Sequence, residues 1–486
     1  MTFFPFGDPP KLDCQNPYFQ NFYNYRWKNL EDLSFDFSKR KQEAKYLPAP
    51  GVYEGTSFFQ QHISYSAQAH MRELRWLENP LLAQGSIVNF IENQAADGSL
   101  PGHINPEKGA NPETFYHADW GTSVLEVYWL HPDRDFLLYC YNGLSRYAEY
   151  FERQRDRERF YMYDIVNHFE TGQEFSPRYS TVSDKADSVG WGNVFCLKGV
   201  DATVYIYQLY ESLRKMAQLL GGTASAEAWS RRAQKVKHAV LKYMWDPVQE
   251  MFFDFDANQM RRTDVKALTC FYPYFTNIVS KKHLAGFKKH LFNSEEFFTP
   301  VPFPTLSMDD PQFSADGIWK GKKEMCPWNG RMWPMTNSHI AEAIANLAIR
   351  FDDNRLRREF VSFFEKWLAT MSFEGDPLRP NSFEHYHPLK RYSASTTENG
   401  FNGIDNYLHS WINDLIIKYV VGIRPYAPNM AIMNPFPFNA HTVLENLIVN
   451  SRDILVLVEP GSFRVYIDKK PVAFSANGTP LQIALY

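Results

Sequence analysis

The chain has 486 residues, of which 44% are hydrophobic and 22% charged, with a formal net charge of −4. This is a globular composition that excludes a disordered chain, and with no basic stripe it gives no sign of a nucleic-acid surface. No apolar run approaches a membrane span and no basic-then-apolar leader opens the chain, so a cytoplasmic protein without membrane contact is expected.

Residues 1–55, rich in Pro, Asn and aromatics, read as an irregular lead-in. From about residue 60 apolar residues recur at i, i+3 and i+4, which predicts helices. The predicted segments are 59–77, 79–95, 119–131, 134–156, 198–221, 225–246, 280–292, 336–351, 354–371 and 404–422. Gly221-Gly222 supplies a C-cap signal after the fifth of these. Long loops rich in Trp, Gly, Pro and Asp separate them at 95–118, 298–334 and 372–403. Loops of that length inside a compact domain are usually either functional or a sign of misassigned elements. Their recurrence at alternate junctions fits helical hairpins in a ring, with the long loops gathered on one face. The stretches 441–450, 453–460, 462–470 and 479–486 then alternate or run in β-branched residues between turn signals, which predicts strands. The expectation is one mainly α domain over 1–430 and a small β-rich segment over 431–486.

Aromatic residues make up 16% of the chain. Such side chains suit sugars, whose C–H faces are apolar and whose rims are polar, although aromatics also dominate ordinary cores. Five cysteines, Cys14, Cys140, Cys196, Cys270 and Cys326, are scattered with no CxxC, so reduced thiols are expected rather than a disulfide framework or zinc site.

Four loop motifs carry candidate chemistry. "HFETGQEFSPRY" sets Glu170 and Glu174 around a glycine, with Arg178 close behind. One glutamate could be a general acid with Arg178 orienting a ligand, or the stretch could be a polar turn in which Arg178 is the ion-pair partner. "SFEHYHP" places Glu384 beside His385, Tyr386 and His387, and Glu398 follows in the same loop. Two histidines with no third ligand make a metal site the weaker reading. "WNGRMW" puts Trp328, Asn329, Arg331 and Trp333 just before a helix, where they either pack or bind. "FYHADWGTS" puts Asp119 and Trp120 at a helix entrance, as an N-cap or as ligand contacts. "YEGTSFFQQH" offers one more carboxylate, Glu54. GxSxG, P-loop, HExxH and Rossmann signatures are absent. Carboxylates on aromatic loops suit glycoside hydrolysis, which needs two carboxyl groups.

The order of these motifs resembles the (α/α)6-barrel glycosidases around trehalase, processing α-glucosidase I and the bacterial mannosylglycerate and glucosylglycerate hydrolases. In that group an SG-x-D-x-SPR stretch carries the general acid, and "TGQEFSPR" places Glu174 at its position. Asp201 matches a following VDLN-like helix start, "WNGRMW" a W-R-G-P-x-W loop, and "FEHYHP" an E-x-Y-x-P loop ahead of a helix with Trp411. The likeness covers roughly residues 50–420. It departs in having Glu for Asp at 174, no proline in the tryptophan loop, and none of the full trehalase signatures. The resemblance implies an (α/α)6 toroid and an inverting, exo-acting α-glycosidase. Glu174 would be the acid and Glu384 the base, with no metal or cofactor. A small carbohydrate would be held by Arg178, Trp328, Asn329, Arg331, Trp333, Asp119, Trp120, Glu170, His385, Tyr386 and Trp411. A glycoside phosphorylase and a catalytically silent carbohydrate-binding protein stay open beside it.

Overall fold

The computed structural model describes residues 6–37, 45–113, 115–116, 119–187, 192–395, 400 and 405–486. Its helices are α1 (Pro17–Asp32), α2 (Ser64–Leu74), α3 (Leu81–Glu92), α4 (Trp120–Leu130), α5 (Arg134–Arg155), the single turn α6 (Pro177–Ser180) and α7 (Val200–Leu219). There follow α8 (Thr223–Ala239), α9 (Leu284–Leu291), α10 (Pro334–Arg350), α11 (Asn354–Thr370) and α12 (Ile412–Leu415), which runs on in π-helical turns to Val421. Each of the ten segments predicted from periodicity overlaps one of these helices. Among the described residues, no helix is long and apolar enough to cross a membrane.

Local chemistry sets several boundaries. Asp133 accepts the N–H groups of Asp135 and Phe136 at 2.9 and 3.1 Å and opens α5, and Asp353 accepts that of Leu356 at 3.0 Å to open α11. Gly221 takes φ +87° just past α7, a conformation that favours glycine, and so ends the helix where the sequence predicts.

Three differences from the sequence reading have physical causes. The lead-in holds a full helix, α1, which has modest intrinsic propensity but is capped by Asn16 and packs on α11 and α12. The 3-10 helix Leu268–Phe275, too short for a periodic signal, packs against α7 and α10. The last predicted helix starts late, at Ile412. The backbone before it is used across the chain instead: Tyr407 N donates to Ser382 O at 2.8 Å and Leu408 N to Glu54 O at 2.7 Å.

The helices fall into two classes. Every residue of α2 is buried, and α7 and α10 are buried around most of their circumference. Such helices have neighbours on all sides. They pack in sequence: α2 on α4, α4 on α7, α7 on Leu268–Phe275, that segment on α10, α10 on α12, and α12 back on α2. The second class lies outside it. Helix α8 buries Ala226, Trp229, Ala233 and Val236, one stripe, against α7. In the same way α3 covers α2, α5 covers α7, and α11 covers α10.

Beyond the helices, Thr442–Val449, Arg452–Glu459, Ser462–Ile467 and Lys470–Ser475 form an antiparallel sheet. Its far edge is Lys11–Cys14, paired from Lys11↔Glu445 to Cys14↔Thr442. A second sheet joins Ile423–Ala427, Met430–Met433 and Leu481–Ala484. The four predicted strands are present, Ile423–Ala427, Met430–Met433 and Lys470–Ser475 join them without having been predicted, and the lead-in contributes Lys11–Cys14.

Candidate active site

The loops at one end of the buried helices surround a cavity of about 500 Å3. Among the described residues, three carboxylic acids face it: Glu54, Glu174 and Glu384. Tyr65, Trp333 and Tyr407 line it with them, and Phe58, Phe59, Ile63, Phe115, Phe169 and Met325 form much of the remaining wall.

Glu174 is aimed by a tightly turned loop. Asn167 accepts the Glu170 N–H and begins a short 3-10 turn, Gly172 takes φ +60°, and Phe175 takes φ +57°, an unusual conformation for a side-chain-bearing residue. Behind it, Arg178 is fully buried. It donates to both oxygens of Asp254 at 2.8 and 2.9 Å, to both of Asp201 at 2.7 and 2.8 Å, and to Gln173 at 3.1 Å. All five guanidinium donors are thereby used, two of them bidentate on each carboxylate. Arg178 therefore holds the loop to the first turn of α7 and has no donor left for a sugar.

The other motifs lock onto the same loop. Trp328 N donates to Glu174 O at 3.1 Å. Met332 and Tyr386 exchange backbone hydrogen bonds at 3.0 and 2.8 Å, which fixes the loop carrying Glu384 against the tryptophan loop. Trp328 and Trp333 stack with centroids 4.1 Å apart, and only Trp333 reaches the cavity.

Most of the other predicted site residues lie behind this surface. Glu170 is paired with Arg155 and accepts Val166 N at 2.9 Å. Asn329 donates to Gln312 O and Ile318 O, and Arg331 donates to His385 Nδ1 at 3.1 Å and Ala315 O at 3.0 Å. Tyr386 donates to Asn381 at 2.7 Å. Asp119 accepts from Arg72 at 2.9 Å, Trp120 packs on Phe90, and Trp411 lies under Arg72. None of these lines the cavity. The ring nitrogens of His385 and His387 are taken by protein partners, so the two do not form a metal pair. Among the described residues no group of three or more His, Cys, Asp or Glu side chains is placed to hold a metal ion, and Glu398 lies outside them.

Two functional groups, Cys326 and Tyr407, escape the motif reading of this site, whereas Glu54 is the carboxylate offered by its own turn. Cys326 Sγ lies 3.1 Å from Glu174 Oε2 and 3.9 Å from Glu384 Oε1, so those oxygens are at most about 7 Å apart. Burial and the two carboxyl groups keep the thiol well above its ordinary pKa, so it acts as a donor. Glu54 accepts from Ser66 at 2.5 Å and Tyr407 at 2.6 Å. Its signal was a glutamate in an aromatic turn, and the late start of α12 is what brings Tyr407 to it.

None of the three acids has a cationic partner among the described residues lining the cavity. Burial pushes Glu54 and Glu174 up to about 7, eased by their hydrogen-bond donors. Glu384, raised first by burial and then by repulsion from Glu174 and Glu54, reaches about 8. Glu170 contributes nothing to the rise at Glu174. Glu174 is partly exposed, whereas Glu384 is 7% exposed.

Residues 60–410 match the family model of the mannosylglycerate hydrolase MGH1-like glycoside hydrolase domain. An uncharacterised protein of Borreliella burgdorferi is 21% identical over 258 residues, 51% of each chain. The chain thus spans about half the length of that curated relative. Among solved structures, a sialidase superposes with TM-score 0.76 at 19% identity over 98% of this chain and 41% of its own. The mannosylglycerate hydrolase of Thermus thermophilus, solved with glucose, gives 0.58 at 17% over 81% and 98%. The neutral trehalase of Saccharomyces cerevisiae gives 0.54 at 13% over 76% and 72%. These likenesses place the fold among the (α/α)6 glycosidases.

Proposed function

We propose that this chain, which belongs to the mannosylglycerate hydrolase MGH1-like glycoside hydrolase family, is an inverting, exo-acting α-glycosidase for a small glycoside or oligosaccharide. Residues 1–430 would be its catalytic domain, a toroid of six helical hairpins, and residues 431–486 a β appendage. The observation that carries the reading is the meeting of Glu174 and Glu384, over two hundred residues apart in sequence, within 3.1 and 3.9 Å of one thiol in one cavity.

In this reading Glu174, protonated, gives its proton to the glycosidic oxygen. Glu384, ionised, takes a proton from the water that attacks the anomeric carbon from the opposite face. Inversion needs carboxyl groups about 6.5–9.5 Å apart so that the water fits between them. Trp333 offers a ring face to the sugar, and Glu54, held by Tyr407 and Ser66, is placed to take a sugar hydroxyl.

The empty cavity has its two protonation preferences in the opposite order, with Glu384 above Glu174. Burial is the first cause of the rise at Glu384, however, and repulsion from an ionised Glu174 is the second. Once Glu174 carries a proton that repulsion is gone, and Glu384 ionises more readily.

Roles are tested with matched variants. Glu174→Gln should lose hydrolysis of alkyl glycosides yet keep it for glycosyl fluorides, whose leaving group needs no proton, whereas Glu384→Gln should lose both. The reverse pattern would exchange the roles. NMR of the first-formed product should show the inverted anomer, and a retained anomer would overturn the mechanism. Phosphate-dependent turnover would make the protein a phosphorylase, and sugar binding without turnover a silent binding protein.

A further inference from the structure

We infer that the outer half of the cavity is a subsite for an uncharged, apolar leaving group, and that the site disfavours anionic ones. The inference rests on the proposed hydrolase reading for the direction in which the leaving group departs.

Of the two catalytic carboxyls, Glu174 is the one nearer solvent, and it protonates the leaving oxygen. The aglycone therefore lies between Glu174 and the mouth. Phe58, Phe59, Phe115 and Phe169 line the cavity and are all at least partly exposed, so they mark its outer part. Phe58 is 75% exposed, held up at the rim by a turn in which Ser57 takes φ +53°. A single exposed phenylalanine is ordinary, but this one continues into a built wall. Phe58 meets Phe59 edge-on at 5.2 Å, Phe59 meets Tyr407 edge-on at 4.8 Å, and Tyr407 donates to Glu54. An aromatic face thus runs from solvent down to the carboxylic acids. An alkyl or aryl aglycone would cover Phe58 and be drawn from water by it.

Charge acts in the same direction. A carboxylate on the aglycone would give up its hydration in a largely apolar cavity whose described lining holds no lysine or arginine, and would meet the ionised Glu384 there, where like charges are poorly screened. A glyceryl glycoside and its glyceric-acid counterpart are close in size and differ by that one charge, which makes them the discriminating pair.

The experiment compares methyl, octyl, glyceryl and glyceric-acid α-glucosides and α-mannosides, with octyl compounds kept below their micelle concentrations. The octyl glycoside should exceed the methyl one in kcat/KM by about tenfold or more, and the glyceryl compound should exceed the glyceric-acid compound by a similar factor at pH 7. Phe58→Ala, checked for an unchanged circular dichroism spectrum, should collapse the octyl-to-methyl ratio towards one. Binding to Glu384→Gln, read by tryptophan fluorescence, separates the two readings. Turnover with preference for the anionic glycoside would overturn the subsite and leave the hydrolase standing. Tighter binding of the octyl glycoside without wild-type turnover would keep the subsite and sink the hydrolase. Equal binding of all four without turnover would overturn both.

Discussion

Glu174 and Arg178 are four residues apart in one loop, yet they belong to two electrostatic worlds. Behind the loop, Arg178 is matched with Asp201 and Asp254, and every guanidinium donor has an acceptor. In front of it, Glu174, Glu384 and Glu54 face one another with hydroxyl, thiol and apolar neighbours. Burial is common to both regions and only the partners differ. A buried carboxyl that is paired with a cation holds structure, whereas one left among apolar walls keeps a proton that it can give away at neutral pH.

The sharpest way to test this contrast is to remove one functional group from each side. Glu384→Gln should lower kcat/KM by about 10²–10⁴-fold, the range for a positioned acid or base, while thermal unfolding occurs no earlier than in the wild type. Arg178→Met should do the opposite kind of damage. It leaves two buried carboxylates uncompensated, at a cost of about 3–5 kcal/mol in urea unfolding. The double variant Arg178→Met/Asp254→Asn should recover part of that loss. If Arg178→Met folded with full stability and lost only sugar affinity, the clamp would be a binding residue after all.

Motif reading located the right loops but not the directions of their side chains. Glu174, Glu384 and Trp333 reach the cavity. Arg178, Glu170, Asn329 and Arg331 come from the same short stretches and point away from it, because a turn presents successive side chains to opposite surroundings. The alternative weighed for Arg178, an ion-pair partner, is what the structure shows, although its partners, Asp201 and Asp254, come from outside its own motif. Tyr407 was hidden by a helical pattern that is overridden by cross-chain hydrogen bonds from Tyr407 and Leu408. Cys326 carried no signal at all, since one cysteine among five gives no pattern. The buried helices were legible because their apolar residues recur over long stretches, and Leu268–Phe275 was too short to show this.

Stability against pH sharpens the comparison further. Glu54, Glu174 and Glu384 have folded pKa values raised above those of the unfolded chain. The folded state therefore holds more protons than the unfolded state between about 4.5 and 7–8, and stability falls as pH rises through that window. Glu54→Gln removes one such group. It should be more stable than the wild type at pH 8, by about 1 kcal/mol or more, and gain little at pH 5. Equal gains at both pH values would mean that Glu54 is ionised in the folded protein throughout.

The smallest expected effect belongs to Cys326, and it bears most directly on how the acids are kept apart from ion pairs. A thiol donating to Glu174 favours the ionised carboxylate without supplying a full charge, which tempers the rise caused by burial. Cys326→Ala removes that donor, so Glu174 should hold its proton to higher pH. The alkaline limb of the kcat/KM profile should move up by about 0.5–1 pH unit, the equivalent of one ordinary hydrogen bond. Cys326→Ser, which restores a donor, should bring the limb back. A packing role alone would lower stability in both variants and leave the limb where it was. Two variants that share a wild-type pH profile would therefore reduce the thiol to a filler between the carboxyls.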